Sequence, residues 1–183
     1  MTGSSENVTK GCLTKLSDLN KLALKSGKKR LAVAVAHDEH CLEAICAVDR
    51  MGLVEAILVG NETKIREIAA KLRLDVNGMK IIHEEKDVAA VKIAVTMVRN
   101  KEADILMKGN VPTATFLRGV LDKESGLRKG DVLSHFALFE LPTYHKLLGL
   151  TDAAMIPAPD FKTKVALTRS EEHTSELQSP NTI

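Results

Sequence analysis

The sequence predicts an α/β fold: a parallel sheet with helices on both faces, in three layers. Three observations carry that reading. Short runs such as Leu31-Ala32-Val33-Ala34-Val35-Ala36 and Ala56-Ile57-Leu58-Val59 are apolar at odd and even positions alike, as strands buried on both faces are. Segments of helix length, with apolar residues three and four apart, separate these runs. Strands alternating with helices build right-handed βαβ units, which lay the strands parallel and stack the helices on the sheet.

Each element has its own local cause. Residues 1–7 are polar, and residues 8–24 outline a short amphipathic helix through Leu13, Leu16, Leu19, Leu22 and Leu24. Ser26-Gly27-Lys28-Lys29-Arg30 breaks it and leads into the first strand, residues 31–36. Asp38 is placed to cap a helix carrying Leu42, Ile45, Cys46 and Ala47, which Met51-Gly52 ends. The second strand, residues 55–59, is followed by Gly60-Asn61 and a helix with Ile65, Ile68, Ala69 and Leu72 on one face. Asn77-Gly78 signals a turn before a short strand at residues 79–82. Asp87 opens another amphipathic helix through Val91, Ala94, Val95 and Val98, and residues 103–107 form the fourth strand. From Asp122 the rhythm changes, and Pro142-Thr143 with residues 147–151 suggests a hairpin or a further strand. The expected organisation is an N-terminal helix and lead-in (1–27), an α/β lobe (28–122), a crossover with a partial second lobe (123–167), and a tail (168–183).

Composition excludes several classes of function. The 183 residues are 44% hydrophobic but only 3% aromatic with no Trp, so the core is aliphatic. With 26 basic and 24 acidic side chains the net charge is +2, and no domain-wide basic excess points to nucleic acid. The three cysteines, Cys12, Cys41 and Cys46, form no Cys-x-x-Cys pair, as expected of reduced thiols in a cytoplasmic protein. No apolar stretch is long enough to span a bilayer, so no membrane partner is expected. His37 and His40 are three apart rather than the four of a zincin helix, and a strand end with a capping Asp accounts for them, so no metal site is assigned. His135 follows Ser134, but no third residue in diagnostic context completes a hydrolase triad. Lys28-Lys29-Arg30 reads most simply as a solvated charge run.

The richest segment is Met107-Lys108-Gly109-Asn110-Val111-Pro112-Thr113-Ala114-Thr115-Phe116-Leu117-Arg118. It reads as a strand end, a glycine turn, and a helix that opens with threonines and carries an arginine. Backbone N–H groups at a helix start attract anions. Lys108 and Arg118 add formal charge, and Thr113 and Thr115 add hydroxyl donors. The bland alternative is a solvated helix start, and the spacing matches neither a Walker loop nor a Gly-x-Gly-x-x-Gly fingerprint. A second candidate, Asp152 in Leu150-Thr151-Asp152-Ala153-Ala154-Met155, follows an expected strand; it either faces a cleft or organises a turn.

Several motifs taken together carry more. Met107-Lys108-Gly109 with Thr113 and Leu117-Arg118, then Leu121-Asp122-Lys123-Glu124-Ser125-Gly126-Leu127-Arg128, Leu133-Ser134-His135, and residues 150–160 resemble the phosphate acetyltransferase and phosphate butyryltransferase family, the butyryl branch more closely. The likeness takes in Leu31 to Asp38 and Ile57 to Gly60, and covers about residues 10–167. It implies an acyltransferase that moves a short acyl group between coenzyme A and inorganic phosphate. Coenzyme A is then a substrate and product, and no cofactor is needed. The implied substrate-binding residues are Lys108, Gly109, Asn110, Thr113, Arg118 and Asp152, with the family's arginine on this helix matched by Arg118. Ile156-Pro157 departs from the family's asparagine and isoleucine before Ala158-Pro159-Asp160. The serine, arginine and aspartate of the family's catalytic core lie in a C-terminal half that this sequence does not contain. No catalytic residue is therefore assigned, and the resemblance implies a fragment inactive by itself. It also implies a homo-oligomer when complete. Residues 169–180 resemble the in-frame translation of a sequencing-adapter oligonucleotide, the other reading being a polar disordered tail. Two other functions stay open: a phosphate acetyltransferase, and a non-catalytic α/β module that binds coenzyme A or another anion.

Overall fold

A computed structural model describes residues 14–128, 132–152, 154–156 and 158–175. The start of the expected first helix at Val8, together with Cys12, Asp131, Ala153, Pro157 and residues 176–183, lies outside them. The chain divides into two compact units, Ala23–Lys129 and Met1–Leu22 with Gly130–Ile183.

The Ala23–Lys129 unit holds a four-stranded parallel sheet. Its strands are β1 (Lys29–Ala34), β2 (Val54–Gly60), β3 (Lys80–His83) and β4 (Ile105–Lys108), in the order β3-β2-β1-β4. β1 is central because it is apolar on both faces, and the pleat splits it cleanly. Leu31 and Val33 join Ala56 and Leu58 on one side, under α2 (Glu39–Arg50) and α3 (Glu62–Leu72). Ala32 and Ala34 join Ile57 and Val59 on the other, under α4 (Asp87–Arg99) and α5 (Thr113–Val120). The three-layer arrangement read from the sequence is therefore present, and both cores are aliphatic.

Caps and clamps fix the elements. Asp38 Oδ1 accepts the Cys41 N–H at 2.9 Å, starting α2 as its sequence suggests, and Asn61 Oδ1, at the expected turn, accepts the Lys64 N–H at 3.0 Å and caps α3. Arg30 grips Asp104 with two guanidinium nitrogens, at 2.9 and 3.1 Å, and joins the start of β1 to the turn before β4. Those hydrogen bonds hold the Asp104 carboxyl down to about 2. The chain folds back after residue 122: Asp122 accepts from the Ser125 and Glu124 N–H groups, and Leu127 packs on the α4 core.

The second unit carries an antiparallel pair, β5 (Phe136–Phe139) and β6 (Leu148–Thr151), so of the hairpin and the further strand left open by the sequence the hairpin is present. Helix α1 (Leu16–Lys25) begins in this unit, where the Leu16 N–H donates to Glu140 Oε2 at 2.8 Å. Helix α6 (Phe161–Ser175) runs through position 168 without a break. Among the described residues, no helix is long and apolar enough to cross a membrane.

Candidate functional site

In a doubly wound sheet, ligands lie beyond the carboxyl ends of strands where the strand order reverses. Here the chain leaves β1 toward β2 on one side and returns to β4 on the other, so the reversal falls between β1 and β4. The two loops that meet there are residues 35–38 and 108–112.

Backbone hydrogen bonds lock these loops together. The Gly109 N–H donates to Ala34 O at 2.8 Å and the Asn110 N–H to Val35 O at 2.9 Å. A side chain on Gly109 would collide with both carbonyls, so glycine is required there. Val35 makes this contact by adopting φ 60°, a left-handed conformation rare for a β-branched residue and costing about 1–3 kcal/mol. Its fully buried side chain in the α4 core holds it there. No pattern in the sequence announced the strain at Val35.

The turned chain delivers His37, which is half-buried. Its Nδ1 accepts the Asn61 N–H at 3.3 Å, across the end of β2. Gly60 makes room for the ring, since a Cβ there would sit 2.9 Å from Nδ1. With Nδ1 accepting, the neutral imidazole carries its proton on Nε2 and can donate from that side. Burial lowers the His37 pKa and Lys64 adds to that, while Asp87 and Asp38 oppose it. The sequence reading took His37 as part of a strand end beside a capping Asp and did not foresee its bond to the Asn61 N–H.

The expected site residues separate into three jobs. Lys108 Nζ donates to Val111 O at 2.8 Å and Gly109 O at 3.3 Å, so it first serves as a staple across the loop that it begins. Asn110 and Thr113 are exposed at the start of α5, whose N-cap is Pro112 and lacks a side-chain cap bond. Arg118 is exposed and forms no hydrogen bond or ion pair among the described residues. It lies one turn from Thr115 on the same face of α5, and both line a cavity of about 210 Å³ between α4 and α5.

Asp152 belongs to the other unit. Its Oδ2 accepts the His135 N–H at 3.0 Å, and its Oδ1 accepts the Ala154 and Met155 N–H groups at 2.8 and 2.7 Å. Desolvation alone would raise its pKa, but these backbone donors lower it. Of the two sequence readings, turn organiser describes what this carboxylate does here.

Cys41 and Cys46 are buried free thiols, and burial pushes Cys41 up to about 11, far from a reactive thiolate. A second cavity, of about 280 Å³, lies at the carboxyl ends of α2 and α3, where Arg50 and Arg73 share its wall with Asp49 and Asp75. That is the opposite end of those helices from the loops 35–38 and 61.

The chain is similar in sequence and fold to known proteins. The family described as "Phosphate acetyl/butaryl transferase" matches residues 16–92 and 87–178. The phosphate butyryltransferase of Clostridium beijerinckii is 48% identical over 139 residues, covering 76% of this chain and 46% of that protein. The phosphate acetyltransferase of Thermotoga maritima is 33% identical over 150 residues, covering 82% and 50%. A branched-chain phosphotransacylase from Enterococcus faecalis V583 shares the fold at a TM-score of 0.66 and 24% identity, covering 81% of this chain and 51% of that one. The chain spans about half the length of the curated relatives it matches.

Proposed function

This chain belongs to the phosphate acetyl/butyryl transferase family, and from that premise we propose that it forms the α/β lobe of an enzyme moving a short acyl group between coenzyme A and inorganic phosphate. The reaction is acyl-CoA + phosphate ⇌ acyl phosphate + CoA. A phosphate oxygen attacks the thioester carbonyl, a tetrahedral oxyanion forms, and the CoA thiolate leaves with the C–S electron pair. Such a path needs cations to hold phosphate groups, donors for the oxyanion, and a base.

The observation that supports the reading is the loop and helix at the β1/β4 reversal. Residues 108–110 are held rigid by backbone bonds and by the Lys108 staple, and they lead into a helix whose Arg118 is unengaged. A guanidinium, always charged and forked, suits the phosphates of coenzyme A or the attacking phosphate. Thr113, Asn110 and the Nε2–H of His37 are further donors at this edge. On this reading the lobe supplies binding groups, and no residue of it is assigned as the base or as an oxyanion donor. The butyryl reading ranks above acetyl because the identity is higher to the butyryltransferase.

Calorimetric titration of the purified chain with coenzyme A tests the binding, and phosphate-dependent thiol release from butyryl-CoA tests the chemistry. Saturable binding that Arg118→Gln weakens about tenfold, the loss of one charge-assisted pair, is the expected result. No saturable binding contradicts the reading. Thiol release by this chain alone, at the rate of a complete relative, contradicts the assignment of binding without chemistry.

A further inference from the structure

We infer that the cavity at the carboxyl ends of α2 and α3 binds a small zwitterion, a free α-amino acid with an aliphatic side chain. The inference stands apart from the acyl-transfer reading and uses none of its residues.

Opposite charges line this cavity without neutralising one another. Asp49 and Arg50 come from the last turn of α2, and Arg73 and Asp75 from the chain that leaves α3. Asp49 and Arg50 are consecutive, and consecutive side chains on a helix do not face each other. Among the described residues, no ion pair joins any two of the four. Three of them still converge on one point, since Arg50, Asp49 and Asp75 each bear electrostatically on the Cys46 thiol in the cavity wall.

Each group keeps capacity for a ligand. Arg50 Nε donates to Cys46 O at 3.1 Å, which steadies the guanidinium and leaves its two terminal nitrogens unengaged among the described residues. Asp75 Oδ1 accepts the Asn77 N–H at 3.0 Å, and its Oδ2 stays open. Asp49 and Arg73 make no side-chain hydrogen bond among the described residues.

Charge selects the ligand class. A lone anion meets two carboxylates, and a lone cation meets two guanidiniums. A neutral molecule covers four charged groups and pairs with none of them. A carboxylate and an ammonium on one small molecule answer both signs. The guanidinium forks suit the carboxylate, and the aspartates, with the partial negative charge of two helix ends, suit the ammonium.

Size and lining narrow the class further. At about 280 Å³ the cavity falls just below drug-sized sites, which start at about 300 Å³, so it fits an amino acid and not a nucleotide. Leu74 and Met79 add an apolar wall, and both are half-buried, with surface left to cover. An aliphatic side chain laid against them leaves water.

The test is a titration of the ¹⁵N-labelled chain, read at the amides of Arg50, Leu74, Gly78 and Met79. L-Leucine is the first probe. Isopentylamine, which is leucine without its carboxylate, and 4-methylpentanoate, which lacks the ammonium, follow with glycine. The expected result is saturable shifts with leucine and at least about tenfold weaker binding of the amine and of the acid, each missing one charge-assisted pair. Glycine should also bind about tenfold more weakly, for want of the apolar contact. Silent amides at millimolar leucine, or affinity for any of the three comparison probes equal to that for leucine, overturn the inference. Arg73→Gln and Asp75→Asn change exposed side chains, and Asn at 75 can still accept the Asn77 N–H. Each should weaken leucine about tenfold. Arg73→Gln should leave isopentylamine binding undiminished, and Asp75→Asn should leave 4-methylpentanoate binding undiminished. Unchanged leucine affinity in either variant overturns the inference, and unmoved amides elsewhere in the spectrum confirm that the variant is folded.

Discussion

The two units of this chain bury their apolar residues very differently. In Ala23–Lys129, the strands β1 and β2 are almost wholly buried, and helices α2 to α4 each contribute buried side chains. In the second unit Leu167 is the buried hydrophobic residue among those described, while Phe136, Phe139, Leu148 and Leu150 are exposed. The first unit carries its own core on both faces of a sheet. The second is held by a hairpin ladder and turn bonds around Asp152. A two-stranded hairpin with little buried area is marginal in water. The difference teaches where stability and site precision reside: in the α/β lobe that holds residues 108–118.

Substitutions can break that comparison. Leu58→Ala or Ile65→Ala, at fully buried positions, should cost about 2–5 kcal/mol through lost burial and cavity formation. Phe161→Ala, at a side chain 83% exposed, should stay within about 0.5 kcal/mol. Urea unfolding of the three variants decides it, and equal losses would remove the distinction between the units. Gly109→Ala comes next. Its Cβ meets backbone carbonyls that cannot swing away, so a loss of about 1–3 kcal/mol in thermal unfolding is expected.

Smaller effects sharpen the picture at the β1/β4 edge. Lys108→Gln removes the staple to Val111 O and should cost about 0.5–1.5 kcal/mol, while leaving the backbone bonds of Gly109 and Asn110. His37 should give a pH signature. Its folded pKa lies below the ordinary 6.5, so the fold prefers the neutral ring. The unfolded chain binds the proton first, and stability present above about pH 6.5 is lost as pH falls toward the folded value. The urea midpoint should therefore drop on acidification through this window, and His37→Gln, which can still accept the Asn61 N–H, should flatten that part of the profile. An unchanged slope in the variant would assign the effect to another group.

Much of this architecture was legible because it follows from repeating chemistry. Alternate burial on β1 and β2, the cap Asp38, the turn at Gly60-Asn61, and the α3 face of Ile65, Ile68, Ala69 and Leu72 depend on neighbours within a few residues. The segment 108–118 was also marked by its composition. What stayed hidden depends on contacts distant in sequence. Lys108 looks like a free cation until the fold shows Val111 O beside it. Asp152 looks available until His135, 17 residues earlier, returns to donate to it. Val35 carries no signal of a left-handed conformation, because the contacts that accompany it, burial against α4 and the Asn110 N–H on its carbonyl, come from distant parts of the sequence. The cavity beside Arg118 joins α4 and α5, whose separate patterns show only ordinary amphipathicity. The packing of Leu127 stayed hidden for the same reason, as it returns to a core built more than thirty positions earlier at Val91.

Chemical-shift mapping with coenzyme A tests the central claim most directly. The account predicts saturable changes at the amides of residues 108–118 and at His37, with the β5–β6 amides unmoved. Changes confined to β5–β6, or none at saturating coenzyme A, would contradict the assignment of the binding function to the α/β lobe.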